Sequence, residues 1–331
     1  MDQIIVSRLA GRFGVPDTAL KPLSGGHFSQ VYEFSRDGRP FVLRLIPPNP
    51  DIDVASLLSI SHWMDYLSAH EAAVSKPVRS TSGDLVEAIE HDGALYLAVA
   101  QEKAQGTLGE ELPFDRWNDA LYQTLGKELG RIHALARDYT PPPGVTPRPH
   151  WNEETNCFNP SEVLDSSQVR LIERQTQIAA CIQGLPKDRE GYGLAHLDLH
   201  FANLFVDDVA QVITFFDFDD CAYGWYVMDL AMLLVDTLVL YPCSDREDFA
   251  ARFFQNVLKS YASQSPLSRY WINQIPHFLA LLEIGLYTQL YRDYDPTDRS
   301  SWVGRFMQDR KARIEAGVPY VNIEFDTFEH Q

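Results

Sequence analysis

Asp198, Asn203 and Asp217 are oxygen-bearing side chains spaced as phosphoryl-transfer chemistry requires. The stretch Gly193-Leu194-Ala195-His196-Leu197-Asp198-Leu199-His200-Phe201-Ala202-Asn203-Leu204-Phe205-Val206 sets a polar loop between apolar runs. Asp198 and Asn203 stand five positions apart in that loop. A second apolar run, Val212-Ile213-Thr214-Phe215-Phe216, ends at Asp217, fourteen positions beyond Asn203. The pattern reads as strand, loop, short strand, turn, short strand, bringing the three side chains to one place. A carboxylate there can orient an attacking hydroxyl and take its proton. An amide oxygen and a second carboxylate can hold Mg²⁺ against nucleotide phosphates.

Positioning these groups takes a scaffold, and the chain is long enough for one. Its 331 residues, 45% hydrophobic and 22% charged, suit a globular protein with a sizeable core. The net charge of −18 lacks the basic footprint of a nucleic-acid binder and disfavours docking on anionic membranes. Four cysteines stand far apart with no C-x-x-C pair, so neither a zinc site nor a disulfide scaffold is indicated. The N-terminal residues carry no basic segment followed by an apolar run, and no stretch has the ~18 apolar residues of a membrane span. A cytoplasmic location is expected.

Apolar spacing predicts helices over residues 2–13, 53–70, 115–136, 161–183, 227–241, 250–261, 278–291 and 305–316. Between the first two lies a hairpin with Gly25-Gly26 at its tip, where glycine lets main-chain N–H groups approach phosphates. A strand follows over residues 41–46 with one cation inside it, Arg44. Residues 77–78, 85–89 and 95–100 complete a small antiparallel sheet. The span 147–160, with Glu153 and Glu154, reads either as the border of a substrate pocket or as a surface loop.

The ordered pair H-x-D-x-x-x-x-N and D-F resembles the catalytic loop and metal motif of protein kinases. Its wording is similar to that of the aminoglycoside phosphotransferase-like family, which includes choline kinases and the homoserine kinase type II group. Members typically carry H-G-D-x-H-x-x-N followed by D-F-D-D or D-x-D-D. His196, Asp198, His200, Asn203 and Asp217 through Asp220 fit, while Leu197 stands at the usual glycine. An upstream G-G-x-x-N-x-V-Y pattern is met by Gly25, Gly26, Val31 and Tyr32, with Ser29 in place of asparagine.

The resemblance implies an α+β, protein-kinase-like fold of two lobes. Residues 1–101 would form a nucleotide-binding lobe, 102–106 a hinge and 107–331 a helical lobe with the catalytic loop. It implies an ATP- and Mg²⁺-dependent kinase, with GTP as an alternative nucleotide, acting on a small-molecule hydroxyl. Asp198 would be the base-like residue, and Asn203 and Asp217 the metal ligands. Gly25, Gly26, Ser29 and Arg44 would hold phosphates, and Glu102, Lys103 and Ala104 would line the adenine. Asp219 and Asp220 would support metal or substrate, and with the acidic loop they point toward an amine-bearing acceptor. His196 and His200 would buttress the loop and Asp229 organise it. A kinase places a glutamate in the second helix to pair with the strand cation. Here residues 54–64 contain no acid, and His62 is the candidate in its place. A protein Ser/Thr kinase of the same fold and a catalytically weak nucleotide-binding protein remain as alternatives.

Overall fold

In the computed structural model the described residues are all but 25–28, 152–159, 241–244, 293, 296–297 and 329–331, with only the main chain of Asp326. Chain contacts group them into two compact units. One holds Met1–Gly106, Asp138–Arg148 and Thr214–Asp219; the other holds Thr107–Arg137, Pro149–Ile213 and Asp220–Gln331.

The first unit opens with α1 (Gln3–Arg12), started by Asp2, whose carboxylate accepts the Ile4 N–H. Then come β1 (Lys21–Leu23), β2 (Gln30–Arg36), β3 (Arg39–Ile46), α2 (Val54–Ala69), β4 (Pro77–Val78), β5 (Val86–His91) and β6 (Ala94–Glu102). The antiparallel sheet runs β1-β2-β3-β6, with β4 and β5 both paired to β6. Two of its hairpins close on Asp-Gly pairs, Asp37-Gly38 and Asp92-Gly93, all at positive φ. Both central residues of a type I′ turn need that geometry. Alternation along β2 and β3 puts Phe34, Phe41, Leu43 and Leu45 on one face, buried with Ile5, Val6, Leu9 and Phe13. Arg44 shares the other face with Ile46, which packs with Leu57 of α2 and Leu97 of β6.

Two later segments join this unit, although sequence order put them with the helical half. Tyr139 packs on Trp63 and Tyr66 of α2, with ring centroids 4.6 and 5.0 Å away. Its hydroxyl lies 2.9 Å from His62 Nδ1, so His62 is engaged there and does not stand in for the missing glutamate. Phe215 exchanges main-chain hydrogen bonds with Ala73 and Ser75.

The second unit contains β7 (Thr107–Leu108), α3 (Asp119–Ala136), α4 (Val169–Gln183), β8 (Tyr192–Ala195), β9 (Leu204–Asp207) and the start of β10 (Val212–Phe215). It continues with β11 (Ala222–Trp225), α5 (Tyr226–Leu240), α6 (Arg246–Ala262), α7 (Arg269–Ile272), α8 (Ile275–Tyr291), α9 (Trp302–Met307) and α10 (Arg310–Glu315). β11 pairs antiparallel with β8, and β9 lies between β10 and β7. Helices α3 and α6 meet backbone to backbone. A Cβ on Gly126 would sit 2.0 Å from the Val257 carbonyl oxygen, and one on Gly130 2.6 Å from that of Tyr261.

The mixed α+β composition matches the expectation, and several helix bounds differ from it. The helix expected from 115 begins at Asp119 because Asn118 caps it through the Leu121 N–H. The one expected from 161 begins at Val169, after 3₁₀ turns at Pro160–Glu162 and Ser166–Gln168. The last helix is two, broken at Asp309 with φ +56°. The break sets Arg310 against Glu283 of α8 at 2.7 Å, both buried. Among the described residues no helix is long and apolar enough to cross a membrane.

Candidate active site

The turn that carries Asp198 leaves β8 and is held from beneath by α5. Asp229, wholly buried, accepts the main-chain N–H of His196 at Oδ2 (2.9 Å) and of Leu197 at Oδ1 (2.8 Å). Its Oδ2 also lies 3.0 Å from His133 Nε2 on α3, whose Nδ1 is 2.8 Å from the Tyr261 hydroxyl on α6. A carboxylate can only accept, so Nε2 carries the proton and Nδ1 accepts from tyrosine. Burial pushes the His133 pKa below its ordinary value and keeps the ring neutral. Burial works to raise that of Asp229, but the N–H groups of His133 and the turn outweigh it, and Asp229 stays below the usual range.

Leu197 adopts φ +59°, a region where glycine costs least, which accounts for the glycine usual at this position. The turn then presents Asp198. Asn203 Nδ2 donates to the main-chain oxygen of Asp198 (2.8 Å) and to its Oδ2 (3.1 Å). His200 Nε2 lies 3.5 Å from Asp198 Oδ2 and 3.2 Å from Asn203 Nδ2. Burial opposes ionisation of Asp198, yet His200, then His196 and Asn203, hold its pKa below the ordinary range. The His200 pKa is raised: burial lowers it, and Asp198, Asp236 and Glu110 outweigh burial. Asp198 is therefore a carboxylate at neutral pH, ready to accept a proton or a hydroxyl hydrogen bond.

Asp236 was missed in the sequence. Its Oδ2 accepts the Phe201 N–H at 2.7 Å, pinning the 3₁₀ turn that presents Asn203, while Phe201 stacks on Trp117. Burial, with Glu110 and Asp198 adding to it, raises the Asp236 pKa. The available signal was its spacing: Asp229 and Asp236 lie seven residues apart on α5, two turns along one face.

The first unit carries a charged group of its own. Arg44 on β3 meets Asp219 end-on, Nη1 to Oδ1 at 2.9 Å and Nη2 to Oδ2 at 2.5 Å, with Asp217 Oδ1 at 3.9 Å. Burial works against the Arg44 charge, but Asp219 and then Asp217 more than compensate. Arg148 Nη2 donates to the Asp219 carbonyl oxygen at 2.8 Å. Asp217 itself sits at φ +60°.

Gly25, Gly26, Glu153 and Glu154 lie outside the described residues. The Ser29 hydroxyl is buried and has no hydrogen-bond partner among the described residues. Glu102 donates its main-chain N–H to the Lys76 oxygen and Lys103 donates its own to that of Pro40. Lys103 also pairs with Glu33 through its side chain. Those two N–H groups are thus already engaged, and Ala104 follows them. Asp220 is exposed and belongs to the second unit.

Among the described residues no three His, Cys, Asp or Glu side chains converge on a metal position. Mg²⁺ in phosphoryl transfer needs few protein ligands, because phosphates and water supply the rest. Asn203 fits that demand: its nitrogen is committed to Asp198, and its Oδ1 accepts no hydrogen bond among the described residues. In the first unit, Asp217 is likewise a hard oxygen donor.

A family model described as phosphotransferase enzyme family matches residues 19–266. Amicoumacin kinase of Bacillus subtilis (strain 168) is 27% identical over 330 residues, covering 98% of this chain and 95% of its own. The solved structure of amicoumacin kinase hAmiN with AMP-PNP, Ca²⁺ and Ami superposes with a TM-score of 0.87 at 27% identity, covering 99% of this chain and 97% of its own. A microcompartment-associated aminopropanol kinase, 20% identical, gives 0.72 over 95% of this chain and 97% of its own. A spectinomycin phosphotransferase bound to ADP and spectinomycin, 14% identical, gives 0.58 over 96% and 98%. The last two show a shared kinase-like fold.

Proposed function

The chain belongs to the phosphotransferase enzyme family, and on that footing we propose that Asp198 serves transfer of the ATP γ-phosphoryl group to a hydroxyl of a small amine-bearing molecule. The protein is a kinase that uses ATP and a divalent cation, and its acceptor is a small-molecule hydroxyl. The observation that carries the role of Asp198 is its tethering: Asn203 holds both its main-chain and side-chain oxygens, on a turn anchored by Asp229.

Asp198 orients the acceptor hydroxyl and takes its proton as the new O–P bond forms and the bond from the γ-phosphorus to the β,γ-bridging oxygen breaks, releasing ADP. Asn203, through Oδ1, and Asp217 would hold Mg²⁺ with the nucleotide. The cation, when bound, neutralises charge on the transferring phosphoryl group. Arg44, with its charge secured by the neighbouring carboxylates, holds phosphate oxygens. The Ser29 hydroxyl, buried and without a partner among the described residues, donates to the same group, for which Gly25 and Gly26 are the expected companions. Residues 102–104 line the adenine, Ala104 offering a main-chain N–H. Residues 1–101, joined by 138–148 and 214–219, form the nucleotide lobe, 102–106 the hinge and the rest of 107–331 the acceptor lobe. The reaction places the protein in the cytoplasm, where ATP and Mg²⁺ are supplied.

The field around Asp198 supports an amine-bearing acceptor. Asp198, Asp236 and Glu110 together draw the His200 pKa up, and a substrate ammonium would experience the same field. Acceptor pairs differing only by an amine test this. The amino alcohol should exceed its deaminated counterpart in kcat/KM by about tenfold, roughly 1.4 kcal/mol. Equal rates would remove the amine from the reading.

A further inference from the structure

The second helix lacks the acid that a kinase sets against its strand cation, and α2 shows where its acid went. Its one carboxylate, Asp65, pairs with Arg79 at 2.6 Å. His62 is bound to Tyr139. Arg44 takes its partner from 175 positions away, in Asp219.

We propose that Asp219 is the positioning residue of Arg44, doing from the D-F-D-D segment what a helix glutamate does elsewhere. Both terminal nitrogens of Arg44 point at the two oxygens of Asp219, a planar fork on a planar carboxylate. A guanidinium has five N–H donors, and this contact uses two. The edge formed by Nε–H and the outer N–H of one terminal nitrogen stays available, and the Arg44 donors meet no partner beyond the two carboxylates among the described residues. That edge can grip a phosphate while Asp219 keeps hold of the end. A lysine ammonium, a point charge with no second edge, would have to share the same three protons between both partners. Arginine at this strand position and aspartate two residues after Asp217 thus belong together. Asp219 is itself fixed from behind by Arg148, which holds its carbonyl oxygen. Its carboxylate orients the guanidinium instead of ligating metal.

The inference rests on the reading of Arg44 as a phosphate ligand, and one double-mutant cycle separates the two. Nucleotide affinity is titrated calorimetrically with ATP in EDTA, where no metal ligand matters, for the wild type, Arg44→Ala, Asp219→Asn and the double variant. Asp219→Glu and thermal midpoints serve as controls for folding. Positioning predicts that each single variant weakens ATP binding by about tenfold, that Asp219→Asn adds less than about twofold when Arg44 is absent, and that Asp219→Glu recovers part of the loss. In steady state the KM for ATP rises, while the KM for the acceptor does not. Arg44→Ala with full affinity overturns the phosphate reading and the inference together. Arg44→Ala weakened, with Asp219→Asn unchanged or tighter, overturns the inference alone. The latter result is what removing a carboxylate beside anionic phosphates gives when that carboxylate orients nothing. An Asp219→Asn effect seen only in the Mg²⁺ requirement also overturns it, making Asp219 a metal ligand.

Discussion

Leu197, at φ +59°, donates its main-chain N–H across 2.8 Å to Oδ1 of the buried Asp229. The contact holds a backbone conformation that a leucine does not favour, and the next residue is Asp198. Asp229→Ala leaves the N–H groups of His196, Leu197 and His133 facing a hole. That should cost about 3–5 kcal/mol in denaturant unfolding, the scale for a buried charge partner removed. Leu197→Gly should stay within about 1 kcal/mol of the wild type. It relieves the positive φ but frees the unfolded chain and loses side-chain packing on Gly224.

Acid should destabilise the fold through His133. Burial lowers its pKa in the folded chain, whereas the unfolded chain titrates near 6.5. Below 6.5 the unfolded state therefore binds the extra proton, and stability falls with falling pH until the lowered folded value is reached. The slope is at most about 1.4 kcal/mol per pH unit for this one group. His200 works in the opposite sense: its raised pKa contributes stability that is present below 6.5 and lost as pH rises through the raised value. Because His200 is common to both proteins, unfolding curves of wild type and His133→Gln between pH 7 and 5 isolate His133. The variant should show the shallower decline.

The close approach of α3 and α6 leaves no space for a side chain at Gly126. Gly126→Ala pushes a methyl into the Val257 carbonyl and should cost about 1–3 kcal/mol or more, read as a lowered denaturant midpoint. Unchanged stability would mean that the helices do not pack through this residue.

Removing divalent cations with EDTA should stop turnover, and Mg²⁺ should restore it. Asn203→Ala should raise the Mg²⁺ concentration for half-maximal rate by about tenfold or more, as should Asp217→Asn. A normal Mg²⁺ titration in either variant would remove that residue from the metal set.

Much of the architecture was written locally. The Asp37-Gly38 turn, the alternation of Phe41, Leu43 and Leu45, and the three-four spacing of Leu121, Leu125 and Leu129 depend on neighbours in the chain, and the structure follows them. Asp198 and Asn203 belong to one short loop, so their spacing was readable too. The partner of Arg44 was not, because an ion pair spanning 175 positions leaves no periodic trace. Nor was the union of His133, Tyr261 and Asp229, which joins three helices through side-chain atoms. The C-terminal helix pattern continued through Asp309, since binary patterning does not register one residue at positive φ. The reason for the turn lies in the burial of Arg310 on Glu283.

The decisive measurement is single-turnover phosphoryl transfer from ATP, with Mg²⁺, to a panel of hydroxylated amines by the wild type and Asp198→Asn, with nucleotide binding followed in parallel by thermal shift. Wild type should phosphorylate at least one member of the panel. Asp198→Asn should keep its Mg²⁺–ATP shift and lose about 10²–10⁴-fold in the transfer step, the range for a displaced proton acceptor. Transfer by Asp198→Asn at the wild-type rate, or a wild type that binds ATP and phosphorylates none of the panel, would contradict the account.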